Sequence, residues 1–202
     1  MTVKPIILEG PNVRLEPLCL EHHSALCEVG LDPELWKVTV DRVVDRDGMT
    51  SYIQRALDAQ EEGRALAFAT IDKRSGRVVG CTRFTNIDQK HSRVEIGSTW
   101  VAVPWQRTVV NTEAKYLMLR HAFETMGCAR VEFKTDAINE RSRQALRRLG
   151  AREEGIFRRH MLTWDGRMRD TVYFSILDAE WPAVKAELER KLHSQTQSST
   201  GR

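Results

Sequence analysis

The residues best placed for chemistry lie in the run Gln106-Arg107-Thr108-Val109-Val110-Asn111-Thr112, just ahead of a long apolar helical pattern. A helix start leaves backbone N–H groups unpaired at a positive dipole end, which suits phosphate. The arginine and the small polar side chains add to that. The plainer reading makes Asn111 or Thr112 an N-cap, with Glu113 favoured in the first turn. Glu95 is a carboxylate inside an apolar run, on the face away from Val94 and Ile96, where an ion pair with Arg83 or Arg93 is one use for it. Asn139 fits an N-cap and places Ser142 one turn into the next helix, where a hydroxyl can also bond locally. Arg141, Arg143, Arg147 and Arg148 suit phosphates or a solvated helix face. Metal and disulfide chemistry find no support. Cys19, Cys27, Cys81 and Cys128 form no C-x-x-C pair and read as reduced cytosolic thiols. His22 and His23 are adjacent and do not share a helix face.

These residues need elements to hold them. Ala114, Leu117, Met118, His121 and Ala122 recur at helical spacing, as do Tyr116, Leu119, Phe123 and Met126. Glu113, Arg120 and Glu124, with Lys115 beside them, leave only a narrow polar stripe, so the pattern predicts a buried helix stopped at Gly127. Upstream, residues 1–10 read as a lead-in. A strand over Val13–Leu18, a short helix over Leu20–Gly30, a charged loop over Asp41–Gly48 and a helix over Thr50–Glu62 follow. Ala65–Ile71 and Arg77–Phe84 pair across the turn Asp72–Gly76. In the strand Arg93–Val101, alternation sets Val94, Ile96, Ser98 and Trp100 on one face and Glu95, Gly97, Thr99 and Val101 on the other. Downstream come a strand over Arg130–Thr135, a helix from Asn139 to Leu149, and strands Ile156–Trp164 and Arg167–Leu177 about a two-residue Asp165-Gly166 turn. Asp178 can cap a last helix, with Pro182 in its first turn. The expected fold is α+β, a mixed, mainly antiparallel central sheet flanked by helices. One domain spans 1–192, with a polar, disordered tail over 193–202.

Composition narrows the function. Charged residues make up 29% of the 202 and hydrophobic ones 41%, which suits one ordinary globular domain. A net charge of +3 without a dense Lys/Arg block gives no reason to expect direct nucleic-acid binding. The chain shows no signal peptide and no apolar run long enough to span a bilayer, so a cytoplasmic location without membrane partners is expected.

Five pieces, taken in order, resemble the GNAT-superfamily N-acetyltransferases of the RimJ/RimL type, the ribosomal-protein alanine N-acetyltransferases. They are VRLEPL from Val13, EIGSTWV from Glu95, PWQRTVVNTEAKYLMLRHAFE from Pro104, VEFKTDAINERSRQALRRLGA from Val131, and RDTVYFSI from Arg169 with EWP after it. The resemblance implies acetyl-CoA as cosubstrate, held where the central strand and the Arg130 strand splay apart. Backbone groups near Trp100 and Val101 would bind the pantetheine arm. Those of Gln106, Arg107, Thr108, Val109, Val110, Asn111 and Thr112 would cradle the pyrophosphate. Asn139 and Ser142 match the family's Asn-x-x-Ser beside the cofactor. The family pattern Gln/Arg-x-x-Gly-x-Gly/Ala departs here at Val109 and Asn111. A valine is costly if φ must be positive, and tolerable if the loop is locally helical.

The implied reaction is acyl transfer from a thioester to a primary amine, which needs a neutral amine, oxyanion stabilisation and a proton for the departing thiolate. At pH 7 an α-amine costs roughly 1.4 kcal/mol to deprotonate, and a lysine roughly 4.6 kcal/mol. A protein N-terminus therefore needs only a modest base, and a small-molecule amine is the other acceptor class. Glu95 is the candidate base and Ser142 the candidate proton donor to sulfur, with Tyr173 as its rival. Arg158, Arg159, His160 and the Arg167–Asp170 segment either border an acidic acceptor or are exposed hairpin charge. Val109 motivates a second reading, a non-catalytic member that binds CoA or a partner as a sensor or assembly subunit. A homodimer is compatible with either.

Overall fold

A computed structural model describes residues 4–199, with side chains as far as 194. Its strands are β1 (Leu8–Glu9), β2 (Val13–Pro17), β3 (Ala65–Asp72), β4 (Arg77–Asp88), β5 (Arg93–Val101), β6 (Arg130–Asp136), β7 (Arg152–Leu162) and β8 (Met168–Leu177). Its helices are α1 (His23–Gly30), α2 (Arg46–Glu61), α3 (Val109–Arg120), α4 (Glu140–Leu149) and α5 (Trp181–Ser199). The strands form one sheet in the order β1-β2-β3-β4-β5-β6-β8-β7. Every neighbouring pair is antiparallel except β5 and β6, which the α3 crossover makes parallel. This is the expected α+β architecture.

Helices cover both faces of the sheet. Leu26, Met49 and Ile53 of α1 and α2 pack with Ala67, Ala69, Cys81 and Trp100 on one face. Leu117 and Met118 of α3 pack with Phe68, Phe84, Val94 and Phe133 on the other. That double cover explains why all eight residues of β3 are buried. No helix among the described residues is long and apolar enough to cross a membrane.

The β5–β6 ladder is short. It joins Arg93 to Arg130, Val94 to Val131 and Glu95 to Glu132, and then stops. Along β5 the pairing with β4 slips from Gly97–Arg83 to Trp100–Cys81, so Ser98 and Thr99 together oppose Thr82. Ser98 takes φ 45. This is a β-bulge, which bends its strand and here accompanies the parting of β5 from β6. It also overturns the simple alternation. Val101 joins Val94 and Ile96 in the α3-side core, and Trp100 joins the opposite one.

Several boundaries differ from the sequence reading. The lead-in contains β1, which pairs with β2. The charged loop ends at Asp45, whose carboxylate accepts from the Gly48 N–H at 2.7 Å and starts α2 at Arg46. The cap of α3 is Thr108, whose hydroxyl accepts from the Val110 N–H, so neither Asn111 nor Thr112 fills that role. After Arg120 the helix widens into a π turn over His121–Thr125. The last hairpin turns through three residues, Trp164 to Gly166, because Thr163 and Arg167 are still bonded to each other. Gly166 supplies the left-handed residue, φ 84, that such a turn requires. Helix α5 begins at Trp181 and is helical to Ser199, past the point where the polar tail is expected to begin; positions 200–202 of that tail lie outside the described residues.

Within the narrow polar stripe, Arg120 and Glu124 reach solvent, but Glu113 and Lys115 do not. Glu113 is 1% exposed and Lys115 6% exposed. Glu113 accepts from the Asn12 N–H at 2.8 Å, the Val13 N–H at 3.1 Å and Asn12 Nδ2 at 2.6 Å. It thereby ties the start of β2 to α3. A Cβ at Gly10 would lie 2.3 Å from Glu113 Oε1, so a larger residue there would have to displace the carboxylate that makes this tie.

Candidate active site

Where β5 and β6 part, a cleft of about 420 Å³ opens toward the start of α3 and one side of α4. Trp100, Val101, Gln106, Arg107, Thr108, Asn111, Thr112, Asn139 and Ser142 all line it. Nine of the proposed positions, far apart in sequence, are thus brought together. Val109 and Val110 do not line it, and Val110 is buried in the core.

Local chemistry explains the arrangement. Asn139 Oδ1 accepts from the Ser142 N–H at 3.0 Å and caps α4. That turn sets Ser142 on the cleft wall. Gln106 Nε2 donates to the Val101 carbonyl at 2.8 Å, and its Oε1 accepts from Arg141 Nη1 at 2.6 Å. The side chain therefore joins β5, the α3 start and α4. At the α3 start, the Val110 N–H is used by the Thr108 hydroxyl, while those of Val109 and Asn111 lack an intrahelical carbonyl. Asn111 Oδ1 is buried without a hydrogen-bond partner. These groups fit an anionic, amide-containing ligand such as acetyl-CoA.

The missing glycine is accommodated. Val109 is the first residue of α3, in right-handed helix, and the left-handed φ of this loop falls at Arg107, at 62. Val109→Gly is expected to destabilise the fold by about 0.5–1 kcal/mol without tightening acetyl-CoA binding. Thermal unfolding and calorimetry on the variant check both. Tighter binding would mean that the valine does obstruct the phosphates.

Lys115 was not singled out by its sequence context. It projects from α3 into the cleft floor, where Nζ donates to Thr99 Oγ1 at 2.5 Å and Thr82 Oγ1 at 3.3 Å. No carboxylate partners it among the described residues. Burial brings its pKa down to about 7 from 10.5. Between those values the unfolded chain holds the extra proton, so wild-type stability rises with pH through that window. Below pH 7 the penalty is complete. Lys115→Met is therefore expected to stabilise the unliganded protein by about 1–4 kcal/mol at acidic pH, with the gain shrinking toward pH 10.5. Denaturation at stepped pH checks it; parallel pH slopes for both proteins would refute it.

Glu95 lies beside this cleft, on the opposite face of β5. Its partner is neither Arg83 nor Arg93. Oε2 pairs with Lys134 Nζ at 2.7 Å and accepts from Asn86 Nδ2 at 2.7 Å. Burial opposes the Lys134 charge, but the Glu95 hydrogen bond and charge outweigh it and the ammonium pKa is raised. Oε1 overhangs Gly97, where a Cβ would sit 2.9 Å away. One carboxylate oxygen thus stays directed at the bulge. Tyr173 pairs with Lys134 across β6 and β8, its ring 5.1 Å from Nζ. Arg158, Arg159 and His160 are exposed on β7, where the Arg159 N–H donates to Asp170 at 2.7 Å. Arg167 is engaged by Asp136, and Arg169 is buried.

A family model described as an acetyltransferase (GNAT) domain matches residues 12–152. An uncharacterized N-acetyltransferase, p20, of Bacillus licheniformis is 30% identical over 171 residues, covering 84% of this chain and 95% of its own. The crystal structure of a GCN5-related N-acetyltransferase from Brucella melitensis superposes with a TM-score of 0.87 at 35% identity, covering 94% of this chain and 86% of that one. Mycobacterium smegmatis RimJ, solved with CoA-disulfide, shares the fold with a TM-score of 0.76 at 24% identity, covering 92% and 91%.

Proposed function

The chain belongs to the GNAT acetyltransferase family, and on that premise we propose that it transfers an acetyl group from acetyl-CoA to a primary amine, with protein N-terminal α-amines the first class to test. Acetyl-CoA is the cosubstrate of the family and supplies the acetyl group as a thioester. One observation carries the reading: the β5–β6 ladder stops at Glu95–Glu132, and the gap faces Ser142, Asn139 and the free N–H groups at the α3 start.

The residues divide the work. The N–H groups of Val109 and Asn111, with Arg107 and Thr108, hold the phosphates at a positive helix end. Trp100 and Val101 offer backbone groups beside the bulge to the pantetheine arm. Glu95 takes the proton of the incoming amine through Oε1, its other oxygen being held by Lys134 and Asn86. Ser142 gives a proton to the departing sulfur, with Tyr173 the alternative donor. The new C–N bond replaces the C–S bond.

Calorimetric titration with acetyl-CoA, followed by acetylation assays on N-terminal peptides and small amines, tests this. Saturable binding near one per chain with turnover is the expected result. Binding without turnover across the panel would favour the sensor reading instead, although Val109, which motivated it, sits unstrained in α3. Ser142→Ala is expected to slow single-turnover transfer about 100-fold or more. A wild-type rate would pass the role to Tyr173. A homodimer is part of the proposal, since β7 is the edge strand and exposes Ile156 and Phe157; sedimentation of the purified chain decides it.

A further inference from the structure

Two arginines on the Glu95 side of the sheet, Arg83 half-buried and Arg169 buried, have no ion-pair partner among the described residues. Arg83 of β4 lies opposite Gly97, the residue that Glu95 Oε1 overhangs. Its guanidinium stacks 4.8 Å above the Tyr52 ring, and Nη2 is buried with no hydrogen-bond partner. Tyr52 itself reaches the bulge, donating to the Ser98 carbonyl at 3.4 Å. The carboxylate that acts on Arg83 through space, Asp41, is paired with Arg55 at 3.4 Å. Arg169 of β8 is 7% exposed, and its Nε donates to the Thr171 hydroxyl at 3.1 Å. The carboxylates nearest its charge are Asp136 and Glu95, and both are taken, by Arg167 at 2.5 Å and by Lys134 at 2.7 Å. No carboxylate lies within ion-pair distance of Arg83 or Arg169 among the described residues.

Burying an unpaired guanidinium is expensive, and the cost falls when an anion arrives. Alternation along the strands puts Arg83, Glu95, Lys134, Tyr173 and Arg169 on one face of the sheet, the side opposite α3. The β7–β8 turn bounds this face. Trp164 Nε1 donates to the Trp36 carbonyl at 2.9 Å, and Arg42 stacks 4.2 Å from the Trp164 ring.

We propose that the acceptor is an amine that carries a carboxylate, with Arg83 and Arg169 the guanidinium groups available to it on that face while Glu95 faces the amine. The inference rests on the acetyltransferase reading and specifies its substrate class. The carboxylate could belong to a free α-amino acid or to an acidic side chain near a protein N-terminus.

Matched pairs test it: an α-amino acid against its amide, and an N-terminal peptide with aspartate at its second position against the asparagine peptide. Each is titrated calorimetrically into the CoA-loaded protein and assayed for acetylation with acetyl-CoA. The expected result is a preference of about 10- to 100-fold for the acid member of one pair, that pair identifying the source of the carboxylate. In Arg83→Gln and Arg169→Gln the two members should converge through KM. Equal binding and turnover of both members by the wild-type protein overturns the proposal, as does a preference that survives in both variants. Acetylation of acids and amides alike keeps the transferase reading while sinking this one. Preferential binding of the acid without turnover does the reverse.

Discussion

Glu95→Gln is expected to lower kcat by about 100- to 10,000-fold, the range for loss of a positioned general base. The amide keeps the shape of the carboxylate but cannot take a proton. Acetyl-CoA affinity should stay within about twofold, because Glu95 lies outside the cleft lining. The pH–rate profile separates chemistry from structure. A profile that changes shape in the variant supports Glu95 as the base; a rate that falls while the profile keeps its shape points to Lys134, left without its counter-ion. The requirement itself is modest for an α-amine, since deprotonation at pH 7 costs only about 1.4 kcal/mol. One free carboxylate oxygen suffices.

Glu113→Ala should cost about 3–5 kcal/mol of stability, more than any surface charge change. The side chain is buried and accepts three hydrogen bonds from Asn12 and Val13. Removing it strands two backbone N–H groups, each worth about 1–3 kcal/mol when left unsatisfied. Glu113→Gln keeps one acceptor oxygen and should lose about half as much. Urea denaturation measures both, with the m-value reporting whether the transition stays two-state. A loss below about 1 kcal/mol for the alanine variant would show that β2 does not depend on this tie.

Periodicity and caps made much of the fold legible. Helix α4 was marked at both ends by Asn139 and Gly150, and the structure uses both, with Gly150 at φ 98. The parallel crossover followed from a helix lying between two strands of one sheet. The candidate site was marked only through the order and spacing of its motifs, and nine of those positions line one cleft.

What escaped the sequence depends on contacts that local pattern does not encode. A strand written as strictly alternating carries no mark of the Ser98 bulge, because the extra residue is decided by pairing with Thr82 on another strand. Glu113 and Lys115 read only as part of a narrow polar stripe on a buried helix, since the pattern does not say which polar residues are themselves buried. Their partners, Asn12 and Thr99, come from the residue just before β2 and from β5. Arg83 and Arg169 look like ordinary strand arginines for the same reason. The sequence by itself determined most of the helices and strands, through propensity, periodicity and capping within a few residues, though not β1 or the π turn after α3. Tertiary structure alone decided which charges are desolvated and which are paired, because burial and ion pairing depend on distances between residues remote in the chain.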